Sequence, residues 1–219
     1  MIGHVVTIAS LKGGSGKSTV AACLAAHWQV QGRKPVLLDA DPQRSLPRLA
    51  EREKKLNNIP IVEDTTENLW KTARRLSNRH GVVIIDTPGF RSAATVASLA
   101  AAHFVLIPVK PSPLDVDLMM DTVGVLMEGV KGWTPTFRCV LTQTIPNTVI
   151  ARHLRSELGK AGFPLLETEI QNRVAYGEAA LYGATPNMMD ETGAASRDIV
   201  AMAAEIEALL STKRKLTAA

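Results

Sequence analysis

The sequence has few cysteines and few aromatic residues, and no apolar run approaches the length needed to cross a membrane. The two cysteines, Cys23 and Cys139, have no CxxC spacing, which argues against a disulfide scaffold and against a cysteine-bound metal cluster. The first residues have neither the basic nor the apolar segment of a secretory signal peptide. We therefore expect a cytoplasmic protein with no integral membrane association.

The remaining composition is typical of a globular protein. Apolar residues make up 46% of the chain and charged residues 21%, without a low-complexity segment or an internal repeat. A length of 219 residues is sufficient for one complete core, so we expect a single domain over residues 1–219. The net charge of +4 favours an anionic partner, either nucleic acid or an acidic membrane surface.

Apolar segments rich in Val, Ile and Leu alternate with segments of helical length and spacing. Most of the apolar segments have no polar alternation, as in strands that are buried on both faces of a parallel sheet. The pattern predicts an α/β fold: a three-layer, doubly wound, mostly parallel sheet with helices on both faces. The predicted strands are residues 4–9, 35–38, 59–62, 82–85, 104–109, 137–142 and 164–170. The predicted helices are residues 19–31, 45–56, 66–79, 114–130 and 147–160.

A glycine-rich turn, KGGSGKST at residues 12–19, separates the first predicted strand from the first helix. Backbone amides of such a turn can converge on phosphate oxygens because glycine has no Cβ atom. Lys17 is placed to contact the β and γ phosphates, Ser18 to bind Mg²⁺, and Thr19 to reach the α phosphate. The residues expected to form this phosphate cradle are Gly13, Gly14, Ser15, Gly16, Lys17, Ser18 and Thr19.

Carboxylates follow two other predicted strands. Asp39 and Asp41 come after the second strand, and Asp86 comes after the strand VVII. Ligands of a doubly wound sheet bind at the carboxyl ends of its strands, so Mg²⁺ and the γ phosphate are expected there. The alternative for Asp39 and Asp41 is a solvated acidic turn before Pro42. Asp86 has the position of a Walker B acid, which approaches the metal through a water molecule.

The cradle departs from the common pattern GxxxxGK[ST], which would have glycine in place of Leu11. With the additional Lys12 it resembles the deviant Walker A motif of the ParA/MinD family of P-loop ATPases. The resemblance implies that Lys12 contacts the phosphates of a partner subunit in an ATP-sandwiched homodimer. It also implies that Asp41 positions the attacking water and that Asp39 holds a water of the Mg²⁺ shell.

The family resemblance extends to later segments. Residues 86–89 read DTPG, like the family's switch II, and the Gly89 amide is a candidate sensor of the γ phosphate. Residues 170–174 resemble the adenine-side loop, which makes Gln143 and Arg173 candidate nucleotide contacts. A surface ion pair is an equally good interpretation of Arg173. Residues 111–116 resemble a helix entry near the dimer interface, and the methionines that follow it, Met119, Met120 and Met127, are interpreted first as core packing.

The resemblance is greatest to small ParA-like partitioning and cargo-positioning ATPases without an N-terminal helix-turn-helix domain. It implies slow ATP hydrolysis that an adaptor or cargo protein stimulates, and non-specific DNA binding with association with the nucleoid in the ATP state. The candidate DNA contacts are Arg152, Arg155, Lys160, Arg173, Arg197, Lys213, Arg214 and Lys215. Two alternatives remain open: a MinD-like membrane-cycling ATPase and a metabolic ligase with the same fold.

Overall fold

The computed structural model describes residues 3–53, 55–128 and 135–217, and its side chains are described as far as Ser211. Strands and helices alternate along most of the chain, as the sequence predicts. The strands are β1 His4–Ile8, β2 Pro35–Asp39, β3 Ile61–Glu63, β4 Val82–Asp86, β5 Phe104–Val109, β6 Thr136–Thr144 and β7 Ile170–Gln171. The α-helices are α1 Lys17–Val30, α2 Ser45–Ala50, α3 Leu69–Ser77, α4 Ala93–Ala101, α5 Pro113–Glu128, α6 Val149–Lys160, α7 Val174–Leu181, α8 Pro186–Met189 and α9 Ala194–Thr217.

The strands form one sheet in the order β3-β2-β4-β1-β5-β6-β7, and every neighbouring pair is parallel. Ile8, the last residue of β1, is in register with Asp86, which is also in register with Asp39. The carboxyl ends of three adjacent strands therefore meet at one edge of the sheet. The glycine-rich turn after β1, Asp39 at the end of β2 with Asp41 after it, and Asp86 at the end of β4 all lie at that edge.

Helices cover both faces of the sheet, which confirms the predicted three-layer fold. On one face, residues of β1, β2, β4 and β5 pack with the buried sides of α1 and α9. On the other face, alternate residues of the same strands pack with α3, α4 and α5. A strand buried on both faces needs apolar residues at successive positions, which accounts for the continuous Val, Ile and Leu runs.

Several segments differ from the predicted elements, and α7, α8 and α9 lie beyond the last of them. The helix expected over 45–56 ends at Ala50, and a 3₁₀ turn follows at Lys55–Asn58. The sequence analysis assigns no element to α4, which begins after Ser92, whose hydroxyl accepts a hydrogen bond from the Thr95 amide. In the strand expected over 164–170, Leu165 forms only an isolated bridge. The Leu166 amide still donates to the Cys139 carbonyl of β6, but the amides of Glu167 and Thr168 donate to the Glu205 carboxylate instead of to a strand.

The methionines of α5 divide between the core and the surface. Met119 is 1% exposed and packs in the core, as interpreted from the sequence. Met120 and Met127 are 50% and 60% exposed, so core packing is the wrong interpretation for both. The end of the helix predicted over 114–130 falls on residues 129 and 130, which lie outside the described residues.

Candidate functional site

The glycine-rich turn joins β1 to α1 and opens on a cavity of about 510 Å³. Gly14 and Gly16 have φ angles of 74° and 95°, which side chains other than glycine rarely adopt. The turn therefore depends on glycine at both positions. Lys17, Ser18 and Thr19 also line the cavity. Ser15 is 1% exposed, and its hydroxyl donates to the Lys12 carbonyl at 3.3 Å.

Side chains from distant elements hold the cradle in place. The Thr142 hydroxyl, at the end of β6, donates to the Ser15 carbonyl at 2.9 Å. The side-chain amide of the neighbouring Gln143 donates to the Gly14 carbonyl at 3.0 Å. On the other side, the Leu11 amide donates to the Thr122 hydroxyl of α5. The sequence analysis assigns Gln143 to the nucleotide and gives no role to Thr122, because contacts this far apart in the chain leave no local pattern.

Lys17 is the buried cation of the site. It is 6% exposed, and its Nζ donates to the Lys12 carbonyl at 3.0 Å. Burial lowers the pKa of Lys17, while the nearby carboxylates of Asp86 and Asp41 act in the opposite direction. The Lys17 ammonium group can donate hydrogen bonds to phosphate oxygens without first breaking a strong ion pair.

Asp86 is fully buried, and the Ser18 hydroxyl is the donor nearest to its carboxylate, although neither carboxylate oxygen completes a hydrogen bond of normal geometry among the described residues. Burial raises the pKa of Asp86 to about 7, an effect that the Ser18 hydroxyl and the Lys17 ammonium oppose. A buried carboxylate without donors is costly unless a cation or a water approaches it. Asp86 and Ser18 therefore fit the predicted Mg²⁺ site, where Ser18 would bind the ion and Asp86 would act through a water.

No group of three or more His, Cys, Asp or Glu side chains suited to a metal occurs within residues 3–53, 55–128 and 135–217. Mg²⁺ in nucleotide sites is commonly held by one or two protein oxygens together with phosphates and water. The small number of acidic side chains thus agrees with a metal that arrives with a nucleotide.

The two carboxylates after β2 differ in their surroundings. Asp39 is 1% exposed, and its oxygens accept hydrogen bonds from the amides of Asp41 and Leu46. Burial raises the pKa of Asp39 to about 6. Asp41 is half-buried and lines the cavity, and its carboxylate accepts a hydrogen bond only from the Gln43 amide among the bonds described. Asp39 thus shapes the loop, and Asp41 faces the place where phosphate would bind.

Gly89 packs directly against the cradle. A Cβ atom at this position would lie 2.8 Å from the Gly13 nitrogen and 3.1 Å from the Lys12 carbonyl carbon. These distances leave no room for a side chain between switch II and the P-loop. Gly89 also lines the cavity that the cradle lines.

Lys12 points away from its own cradle. Its Nζ lies 2.5 Å from Oδ2 of Asp115 in the first turn of α5, and Ser112 donates to the same oxygen. The Lys12 side chain is 30% exposed, whereas that of Asp115 is 3% exposed. The sequence analysis notes the segment around Asp115 but gives this carboxylate no role.

A second cavity, of about 660 Å³, lies beside the first and is lined by the two candidate adenine-side residues. Gln143 is part of its wall and of the wall of the first cavity. Arg173 also lines it, but its guanidinium is paired with Asp198, with Nε at 3.0 Å from Oδ2. The structure thus contains the ion pair that is the alternative interpretation of Arg173. A nucleotide contact would use Nη1, the guanidinium nitrogen that does not bond to Asp198.

Comparisons with known proteins find similar sequences and a similar fold. Maintenance of carboxysome distribution protein A from Halothiobacillus neapolitanus is 28% identical over 198 residues, covering 88% of this chain and 91% of the relative. Protein ParA from Rhizobium radiobacter is 29% identical over 190 residues, covering 84% and 86%. The septum site-determining protein MinD from Pyrococcus horikoshii, solved with Mg-ADP, superimposes with a TM-score of 0.76 at 18% identity, covering 96% and 98%.

A family profile matches most of the chain. Residues 6–186 match the CobQ/CobB/MinD/ParA nucleotide binding domain. The match includes the glycine-rich turn, the acids after β2 and β4, and the loop that contains Arg173. The chain therefore belongs to the CobQ/CobB/MinD/ParA family of nucleotide-binding P-loop proteins.

Proposed function

We propose that this protein is a ParA-like ATPase that dimerises on binding ATP and Mg²⁺, binds DNA without sequence preference, and positions a cargo. Hydrolysis of ATP to ADP and phosphate, stimulated by an adaptor or cargo protein, then returns the protein to monomers. Residues 1–219 act as a single ATPase domain in this proposal. The relatives named for carboxysome distribution and as ParA support the positioning role.

The observation that carries the proposal is the direction of Lys12. Lys17 lies buried within the cradle of its own chain, whereas the side chain of Lys12 is 30% exposed and its ammonium group is paired with the buried Asp115 of α5. A cation at this rim can reach the phosphates of a second molecule that faces the cradle. Exposed apolar side chains beside the site support such a contact: Phe90 follows Gly89 and is 52% exposed, and Leu114 precedes Asp115 and is 71% exposed.

Catalysis would combine charge neutralisation with alignment of water. The cradle amides and Lys17 bind the β and γ phosphates, and Lys12 from the partner adds positive charge as the phosphoryl group transfers. Mg²⁺, when bound, neutralises charge on the phosphate oxygens. Asp41 orients the attacking water. Hydrolysis by this direct attack requires no covalent intermediate with the protein.

The MinD-like alternative requires an amphipathic segment that is free to lie on a membrane. Three large apolar side chains of α9 are used in the core, since Ile199, Met202 and Ile206 are each 0% exposed. Among the described residues, no helix is both long and apolar enough to span a membrane. The proposal therefore favours DNA as the surface on which the ATP-bound dimer resides.

The direct test measures mass and DNA binding in the same samples. Light scattering after gel filtration should give a dimer with ATP and Mg²⁺ and a monomer with ADP. Fluorescence anisotropy with an arbitrary DNA duplex should show binding only in the ATP state. Lys12→Ala should abolish hydrolysis and the ATP-dependent dimer, while Val30→Ala, a change at an exposed site in α1, should do neither. Normal hydrolysis by Lys12→Ala would disprove the cross-subunit role.

A further inference from the structure

Four of the residues named from the sequence as DNA contacts are engaged with other groups, whereas Arg152 is exposed and in none of the ion pairs described. Arg155 pairs with Glu169 at 2.9 Å, Lys160 pairs with Glu157 at 2.9 Å, and Arg173 pairs with Asp198. Arg197 donates to the Thr192 carbonyl. The side chains of Lys213, Arg214 and Lys215 lie outside those described.

A different surface carries cations that lack such partners. Helix α3 and the turn after it expose Lys71, Arg74, Arg75 and Arg79, and no ion pair holds any of them among the described residues. We call these four residues the α3 basic face. The opposite side of α3, with Leu69, Ala73 and Leu76, is buried in the core. The helix is thus fixed by its apolar side, and its outer side carries these cations together with the exposed Trp70.

The nearest acidic groups offset this charge only in part. Asp64 lies close enough to Arg75 for the arginine to contribute to lowering the pKa of the carboxyl group. Its oxygens are occupied by Thr66 and Thr72, whose hydroxyls donate at 2.7 Å and 2.6 Å. Glu67 is exposed in the turn before α3. At the other end, the Gly81 amide donates to the Lys34 carbonyl, which places one more exposed lysine beside the turn.

Stabilisation of the helix itself does not account for all four cations. Arg74 and Arg75 lie in the last turn of α3, where positive charge interacts favourably with the helix dipole. Lys71 lies in the first turn, where positive charge is unfavourable, and it stands four residues before Arg75. Like charges at this spacing repel each other, so the face costs some stability in the isolated protein. A polyanion would remove that cost.

The surface also has a shape suited to a ridge of phosphates. Trp70, Arg74 and Asn78 line a depression of about 580 Å³ between α3 and the end of α4. Lys71 Nζ lies over the Trp70 ring at 5.4 Å from its centroid, so the indole restrains the ammonium at the rim. Residues 71 to 77 span about 9 Å of helix, a distance over which duplex DNA carries about five phosphates, and Arg79 follows in the turn after the helix.

We propose that the α3 basic face is the surface that contacts the DNA backbone, through Lys71, Arg74, Arg75 and Arg79. This inference rests on the proposed function and adds the interface to it. Four cations per protomer give only weak binding at physiological salt, whereas a dimer presents two such faces joined in one particle. Since the affinity depends on the number of phosphates neutralised, dimerisation on ATP would itself switch DNA binding on.

The test compares two fourfold variants that lower the net charge equally. One carries Lys71→Gln, Arg74→Gln, Arg75→Gln and Arg79→Gln. The other carries Arg152→Gln, Arg155→Gln, Lys160→Gln and Arg197→Gln, which neutralises candidates from the sequence. Anisotropy with an arbitrary duplex in ATP and Mg²⁺ is measured at salt concentrations between about 50 and 200 mM. Basal ATP hydrolysis and dimer mass verify that each variant is folded.

The α3 variant should lose more than tenfold in DNA affinity, and the slope of log K against log salt should fall by about 4 per protomer in contact with DNA. Its basal hydrolysis should be unchanged, and its thermal stability equal or higher. The second variant should retain most of the affinity. The opposite result for the two variants would overturn the α3 interface while leaving DNA binding intact.

If wild-type protein in ATP binds no duplex at any salt, the proposed function fails instead. An α3-dependent retention on vesicles of anionic phospholipid, without DNA binding, would overturn the proposal in favour of a membrane surface. A loss of stability in the α3 variant with unchanged DNA affinity would assign the four cations a structural role and would also overturn it.

Discussion

Lys12 Nζ and Asp115 Oδ2 lie 2.5 Å apart, which joins the P-loop to the first turn of α5 within one chain. In an ATP-sandwiched dimer, Lys12 would have to exchange this buried carboxylate for the phosphates of the partner. Asp115 is therefore placed to compete with ATP for the same ammonium group. The pair connects the nucleotide site to a helix that presents exposed apolar residues.

Asp115→Asn should make ATP-dependent dimerisation easier. The amide keeps the shape of the side chain but removes the charge that holds Lys12, so less free energy is needed to release the lysine. The expected result is a several-fold lower ATP concentration at half-maximal dimer formation, measured by sedimentation velocity. Asp121→Asn, an exposed carboxylate on the same helix, is the matched control. An unchanged midpoint in Asp115→Asn would show that the pair does not oppose dimerisation.

Gly89→Ala should impair ATP binding and hydrolysis by at least about tenfold, because the new methyl group would collide with backbone atoms of Gly13 and Lys12. Separating switch II from the P-loop would displace the Gly89 amide from the γ phosphate. Titration with a fluorescent ATP analogue and a phosphate-release assay measure both effects. Gly124→Ala in α5 has open space around the new Cβ and should instead stabilise the protein, by about 0.5 to 1 kcal/mol. Equal activity of the two variants would contradict the steric argument.

Asp41→Ala should slow hydrolysis by more than about tenfold while preserving the ATP-bound dimer. The Asp41 carboxylate lines the phosphate cavity and is not fixed by several backbone amides, so its loss removes the alignment of water more than it disturbs the loop. Single-turnover hydrolysis and gel filtration with light scattering separate the two effects. Asp39→Ala should differ, because it leaves the amides of Asp41 and Leu46 without their acceptor and lowers stability as well. A normal hydrolysis rate in Asp41→Ala would remove its proposed role.

Much of the fold follows from sequence because its signals are local. Continuous apolar runs identify the buried strands. Gly14 and Gly16 identify the cradle in the sequence, and their positive φ angles in the structure explain why glycine is needed there. The short β7 could not be predicted in this way. The amides of Glu167 and Thr168 bond to Glu205, about forty residues later in the chain, and no local pattern encodes that choice.

The candidate site shows the same division. Lys17, Ser18, Asp41 and Asp86 come from motifs, and the structure brings them to one edge of the sheet. Their supports do not belong to motifs. Thr142 bonds to the P-loop across a separation of 127 residues, so only the packed structure reveals it. Surface charge behaves similarly, because a lysine or arginine in the sequence does not disclose whether an acid will lie beside it.

The last prediction concerns the pH dependence of stability in the nucleotide-free protein. Burial raises the pKa of Asp86 to about 7 and that of Asp39 to about 6, whereas both groups titrate near 4 in an unfolded chain. Between these values the folded protein binds more protons than the unfolded chain. The contribution of these two carboxyl groups to the free energy of unfolding should therefore fall as the pH rises from about 4 to 7.

Asp86→Asn should remove the larger part of this dependence, because the amide needs no proton to remain neutral in the buried site. At pH 8 the variant without nucleotide should be more stable than wild type, by about 1 to 3 kcal/mol. Urea unfolding at several pH values, without nucleotide or Mg²⁺, measures the profile. Asp117→Asn, an exposed change in α5, controls for the loss of one charge. If Asp86→Asn destabilises the protein at pH 8, the buried carboxylate is compensated by Lys17 more completely than its raised pKa implies.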